Sequence, residues 1–337
     1  MSDWTTPGVY PVAPGVHRIP LPLPNDGLRA VNVYVITDGD SLVLVDSGWA
    51  IAESMQTLQQ GLASLGAELA DVSRILVTHV HRDHYTQAVT IREKVGSRVA
   101  LGVGEQPSMD LLLTEPEKVR VRDAERMARC GADELAELLR TAPSGAGGGP
   151  WEAPDSWLAD YEAVALSSRT LSSVPTPGHT RGHVVFVDSA AELLFAGDHV
   201  LPSITPSIAV EPGPPRLALR DYLDSLRLVR GMPDRMLLPA HGAVTDSAHQ
   251  RIDELLAHHD TRLADTQAAV TEGCTVAAVA SVLRWTRRGR SFAELDVFNQ
   301  VLAVGETSAH LDLLVHQGRL SRQDVDGVTR YGSGPPR

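Results

Sequence analysis

Thiols are scarce in this chain: of 337 residues only Cys130 and Cys274 carry one. The two lie far apart and belong to no CxxC or comparable spacing. That excludes a disulfide framework and a thiolate zinc knuckle, and leaves two small reduced side chains, as expected in a cytoplasmic protein. Positive charge is also in short supply. The 30 Lys and Arg face 42 Asp and Glu, for a net charge of -12, which speaks against a surface built to grip a phosphate backbone. No uncharged apolar run reaches the ~20 residues that cross a bilayer. The opening MSDWTTPGVYPVAPG has no basic start followed by an apolar stretch, so neither a secretory signal nor a membrane partner is expected.

What the chain does have is a strand-rich pattern. GVHRIPLPLP, AVNVYVIT and SLVLVDSG read as strands, the last ending at Asp46. Residues 51–65 carry apolar positions at helical spacing, RILVT (74–78) reads as a short buried strand, and a helix is expected from 83 to 95. From Glu105 to about Tyr161 the character turns helical and includes the Gly-rich break TAPSGAGGGP. Strands return with RTLSSVPTPGHTRGH, VVFVDSA and ELLFAGDHV, then come a Pro-rich loop, a helix at 222–229 and a strand, RMLLPAHG. Two β-rich halves, each followed by helices, predict two packed sheets with helices outside, an α+β arrangement rather than a regular strand–helix alternation. The expected domains are a catalytic unit at 1–258, with a helical insertion or lid at 105–165, and a small, mostly helical unit at 259–337. The histidines His249, His258 and His259 are expected to be solvated, and His310 to lie on the surface or in packing. RWTRRGR (284–290) is a basic island in an acidic chain, read as a solvated turn or a phosphate contact.

The chemistry concentrates in ILVTHVHRDHYTQA. His79, His81, Asp83 and His84 fall within six residues directly behind an apolar strand. A zinc ion takes imidazole nitrogens and carboxylate oxygens, commonly four, so one short loop cannot close two sites. Further donors arrive at three other strand ends: His179 in TPGHTRGH, Asp198 in FAGDH and His241 in LPAHG, each beside glycine. One cation is therefore expected on His79, His81 and His179, and a second on Asp83, His84 and His241. Asp198, with two oxygens, is expected to bridge them. Two metals about 3.5–4 Å apart lower the pKa of a shared water and polarise a carbonyl. An N/O donor set without thiolate suits two zinc ions per chain and admits iron or manganese. Asp83 and Asp198 are the carboxylates expected to act in catalysis as well as in binding.

THVHRDH, with Asp46 upstream in VDSG and His179, Asp198 and His241 following in order, resembles the metallo-β-lactamase fold superfamily over about residues 15–245. The resemblance implies a four-layer αββα sandwich with a dinuclear site at one sheet edge. It also implies that Asp46 is no ligand but orients the histidine loop; as a short polar residue after a strand, Asp46 also suits a helix cap. His183 is expected beside the ligands in a supporting role, and His199 to be structural. With Asp198 present and no cysteine in any motif, the pattern is nearer glyoxalase II-like thioesterases, lactonases and RNase Z-like nucleases than zinc β-lactamases. The tail resembles a winged-helix-like extension. The implied activity is hydrolysis of a thioester or ester of a small molecule by a metal-bridging hydroxide, with lactonase or phosphodiesterase as the alternatives. A homodimer is compatible with the sequence.

Overall fold

The computed structural model describes residues 3–24, 27–141, 149–208, 217–286 and 288–334. Most of the Gly-rich break, the end of the Pro-rich loop and Arg287 of the basic island lie outside them.

The first sheet runs in the order β1 (Tyr10–Ala13), β2 (Val16–Pro22), β3 (Ala30–Asp38), β4 (Ser41–Val45), β5 (Val72–Val77), β6 (Arg98–Gly102) and β7 (Ser156–Leu158). Pairing is antiparallel up to β4 and parallel from β4 to β7. Helices α1 (Ala52–Ser64) and α2 (Arg82–Val95) are the crossovers that parallel neighbours require. The second sheet joins β8 (Ala163–Ala165), β9 (Thr170–Pro175), β10 (Val184–Asp188) and β11 (Leu193–Gly197) antiparallel, then β12 (Met236–Pro239) parallel to β11.

The central strands β4 and β11 read as continuous apolar runs because both faces are buried, yet each alternates between two cores. In β4, Leu42 and Leu44 face α1 and α2, while Val43 and Val45 face the other sheet. In β11, Leu193 and Phe195 enter the space between the sheets, and Leu194 and Ala196 face the outer helices. Tyr34 meets Phe195 edge-on across that space, ring centroids 5.5 Å apart. The result is the expected αββα sandwich.

The segment expected as an insertion holds α3 (Gln106–Thr114), α4 (Pro116–Arg129) and α5 (Asp133–Thr141), and ends in the two edge strands β7 and β8. Outside the second sheet lie α6 (Ala218–Arg230) and α7 (Ala248–Ala268). The C-terminal unit is β13 (Cys274–Thr275), α8 (Val276–Val282), α9 (Val297–His316) and the ribbon β14 (Leu320–Val325) and β15 (Val328–Ser333). Residue 258 falls within α7, and one apolar core continues from α6 through α7 to α8 and α9. Among the described residues no helix is long and apolar enough to cross a membrane.

One expectation is overturned. His259 is fully buried, whereas His258 is exposed and His249 partly so. On α7 it falls on the inward stripe with Ile252, Leu255, Arg262 and Leu263. Its Nδ1 lies 3.3 Å from Nε2 of His310, whose own Nδ1 donates to the Glu306 carbonyl.

Two outcomes are expected. Phe195→Ala should cost about 3–5 kcal/mol in urea unfolding, as a cavity between the sheets does. Burial first, then the neighbouring histidine, holds His259 at about 2. Burial holds His310 at about 4. Protons therefore bind the unfolded chain more tightly. The stability this pair contributes is complete above about pH 6.5 and is lost as pH falls toward 4. His259→Phe should flatten that loss in melts of the cation-free protein followed by circular dichroism.

Candidate metal centre

The carboxyl ends of β4, β5, β11 and β12 meet at one edge of the sandwich, and the loop after β9 reaches the same place. β5 delivers Thr78 and His79. His81 is extended and precedes the first turn of α2, where Asp83 benefits from the helix N-terminus. The extended segment puts His79 and His81 two residues apart, and the helical turn then brings Asp83 and His84 round to the same volume. Gly197 takes a left-handed φ of 50°, and a Cβ there would lie 2.6 Å from Thr78 Oγ1 and 2.7 Å from His183 Nε2. Only glycine lets β11 deliver Asp198 this close.

All seven expected donors converge. His79, His81, His179 and Asp198 form one group, and Asp83, His84 and His241 another, with the donor atoms of each group within 4.8 Å of one another. Asp198 faces both. Its Oδ2 is 3.5 Å from His179 Nε2, and its Oδ1 is 3.7 Å from His84 Nε2 and 3.4 Å from His241 Nε2. Asp83 Oδ2 lies 3.3 Å from His241 Nε2 and 3.6 Å from His84 Nε2. His179 Nε2 and His81 Nδ1 stand 3.0 Å apart.

For four of the five rings, the bond on the far side fixes which nitrogen points inward. His84 Nδ1 donates to Asp46 Oδ2 at 2.9 Å, His179 Nδ1 to the Ser207 carbonyl at 2.7 Å and His241 Nδ1 to the Ala30 carbonyl at 2.7 Å. His79 Nδ1 donates to Thr78 Oγ1, whose hydroxyl passes on to Asp46. Asp46 also accepts the Thr78 N–H at 2.8 Å and is itself held at a φ of 60°. One carboxylate thus orients rings from both groups. His183 accepts the Asp198 N–H at its Nε2 and holds Thr176 with its Nδ1. His199 is buried edge-on against Tyr222.

These bonds leave Nε2 of His79, His84 and His241 and Oδ1 of Asp198 buried and hydrogen-bonded to nothing among the described residues. Buried polar atoms without partners are costly, and these are all electron-pair donors aimed at one place. That donor set fits divalent cations. The charge states agree. Burial, then the neighbouring rings, keeps His79 neutral, and burial and His179 bring His81 to about 3. Burial alone would raise Asp83 and Asp198, but the surrounding imidazoles hold both low. Burial would likewise lower His84, but Asp83, Asp46 and Asp198 push it up to about 10. The negative field that draws a proton there is the field a cation would neutralise.

Comparison with known proteins agrees with this geometry. The metallo-beta-lactamase superfamily model matches residues 26–241, and a metallo-beta-lactamase-like C-terminal domain matches 263–334. The chain belongs to the metallo-beta-lactamase superfamily. As a member of it, this protein aligns with a beta-lactamase domain protein from Burkholderia ambifaria at 30% identity and a TM-score of 0.82, covering 97% of this chain and 94% of that one. A metallo-beta-lactamase family protein from Thermus thermophilus gives 28% and 0.79, over 95% and 99%. By sequence it is 25% identical to an atrochrysone carboxyl ACP thioesterase of Aspergillus fumigatus, over 68% of this chain and 42% of that protein. It is 23% identical to a beta-lactamase-like protein 2 homolog of Caenorhabditis elegans, over 82% and 72%. The chain thus spans under half the length of that Aspergillus relative.

The sequence reading did not include Thr78, Ala30 or Ser207. Thr78 stood inside the motif, but the other two act through backbone carbonyls, which leave no signature in side-chain identity. For Asp46→Asn, the amide must turn its NH2 toward His84, forcing the ring into the tautomer whose Nε2 carries the hydrogen. Cation affinity should fall by about 10–100-fold, read by chelator competition on protein shown to be folded by circular dichroism.

Proposed function

We propose that this superfamily hydrolase holds two cations and cleaves a thioester of a small acyl group. The observation that carries the reading is Asp198, whose two oxygens face two separate donor groups. His79, His81 and His179 would hold one cation, Asp83, His84 and His241 the other, and Asp198 both. Zinc suits the donors, and iron or manganese is compatible with them. When bound, such a pair supplies an activated water and polarises the substrate carbonyl.

The chain's own part is to present and to proton-balance. Asp83 is the more open of the two carboxylates, 16% exposed at its side chain against 9% for Asp198. Held ionised by the surrounding imidazoles, it keeps its electron pairs available to the cation of its group. A cysteine nucleophile has no support: Cys130 is buried in the helical core and burial pushes its thiol up to about 11, while Cys274 lies in β13, in the C-terminal unit. The thioester, rather than a lactone or a phosphodiester, is favoured by the relatives named as acyl-carrier-protein thioesterases and by the acidic balance of the chain. A small-molecule substrate in the cytoplasm, with no nucleic-acid partner, completes the proposal.

The test is a metal-loaded preparation assayed against acyl-CoA and acyl-pantetheine thioesters, a lactone series and single-stranded RNA. Two cations per chain with thioester turnover are expected, and His81→Ala and His241→Ala should each abolish turnover and lower the stoichiometry to about one. RNA cleavage without thioester turnover, or full activity in His81→Ala, would overturn the proposal.

A further inference from the structure

The turn Val103–Glu105 follows β6 directly and ends in a carboxylate with no exposed surface. A buried carboxylate is costly unless it is bonded. Glu105 Oε1 accepts the backbone N–H of Val80 at 3.4 Å and the hydroxyl of Thr180. Val80 is the residue between His79 and His81, and Thr180 is the residue after His179. One oxygen therefore joins the loop after β5, in the first sheet, to the loop after β9, in the second. The backbones are in contact at the same place. A Cβ at Gly182 would lie 2.0 Å from the Glu105 nitrogen, one at Gly104 would lie 2.7 Å from Gly182 Cα, and one at Gly102 would lie 2.7 Å from the Gly182 carbonyl oxygen. The approach tolerates no side chain at these three glycines.

The two donor groups differ in how they depend on this contact. His79, His81 and His179 come from the two loops that Glu105 ties together. The other group is supported elsewhere, His84 by Asp46 and His241 by the Ala30 carbonyl.

We propose that Glu105 is a positioning residue that sets the spacing of the three-histidine group, and that cation affinity at that group, and not at the Asp83–His84–His241 group, depends on it. The proposal rests on the two-cation reading above. It also gives the segment after β6 a role in the site: Glu105, its third residue, braces the loops that carry the ligands.

The experiment is a titration of the cation-free chain with cobalt(II), followed by the d–d absorption of bound cobalt and by chelator competition. Four proteins are compared: the parent chain, Glu105→Ala, Glu105→Gln and Thr180→Val. Glu105→Ala should weaken one of the two binding phases by about 10–100-fold and leave the other in place. Glu105→Gln keeps an acceptor oxygen and should recover most of that loss. Thr180→Val should weaken the same phase, and its effect should not add to that of Glu105→Ala. Should Glu105→Ala fail to fold, Glu105→Gln and Thr180→Val still decide: intact binding in the first with one weakened phase in the second supports the assignment. Equal weakening of both phases, or of neither, overturns it while the two-cation reading stands. A parent chain that binds no cobalt removes both.

Discussion

Seven side chains able to donate electron pairs are directed into one small buried volume, where the inward atoms of His79, His84, His241 and Asp198 have no hydrogen-bond partner among the described residues, and the rest of the architecture exists in relation to that fact. His79 and His84 have ring centroids 4.0 Å apart, and His79 and His81 4.6 Å. Such a cluster is unfavourable by itself. It persists because the rings of His79, His84, His179 and His241 are each fastened on the far side to an atom that belongs to a strand end or to a bonded loop. The bonds from Asp46, Ala30 and Ser207 come from the chain itself and fix the rings of His84, His241 and His179. Preorganisation of this kind is what turns a set of histidines into a metal site.

Both sheets are needed for the same reason. The first sheet supplies Asp46, His79, His81, Asp83 and His84, and the second supplies His179, Asp198 and His241. Neither half can close a donor group alone: His179 completes the first, His241 the second. The ties between the halves are correspondingly specific. Asn32 and Tyr34 of β3 both donate to the Pro239 carbonyl at the end of β12, two residues before His241. His241 returns a bond to Ala30 at the start of β3. Val184 N–H donates to the Thr78 carbonyl, joining β10 to the end of β5. The stability of the inter-sheet core and the geometry of the site are therefore the same problem.

The donor-bearing strand ends were legible because an apolar run leads into His or Asp at each, with a glycine beside His179, Asp198 and His241 and four donors within six residues after β5. The double-faced burial of β4, β5, β10 and β11 was legible as uninterrupted apolar sequence, though not which core each residue entered. What was not legible depends on contacts distant in sequence. His259 looked like one more polar position on a long helix, and only the packing of α7 against α9 shows that it faces His310. Glu105 stood at the point where the sequence turns helical, and read as the first residue of an insertion. Its partners are 25 and 75 residues away, and no local pattern records a bond to a backbone N–H.

The outer layer follows from the second sheet in turn. Its outward residues Val185, Val187, Leu194 and Ala196 must be covered, and α6 and α7 cover them. Those helices have apolar surface beyond the sheet, which α8, α9 and the helices α4 and α5 extend into one continuous core. The C-terminal unit and the segment after β6 therefore meet each other as well as the sandwich. Gly131 shows how closely: a Cβ there would lie 2.9 Å from Thr275 in β13. The segment from Val103 to Thr141 is thus held at both ends, by Glu105 on the loops after β5 and β9 and by α4 and α5 on the C-terminal unit. Opposite ends of one segment thus contact the C-terminal unit and the loops that carry His79, His81 and His179, and α4 and α5 between them belong to the same apolar core.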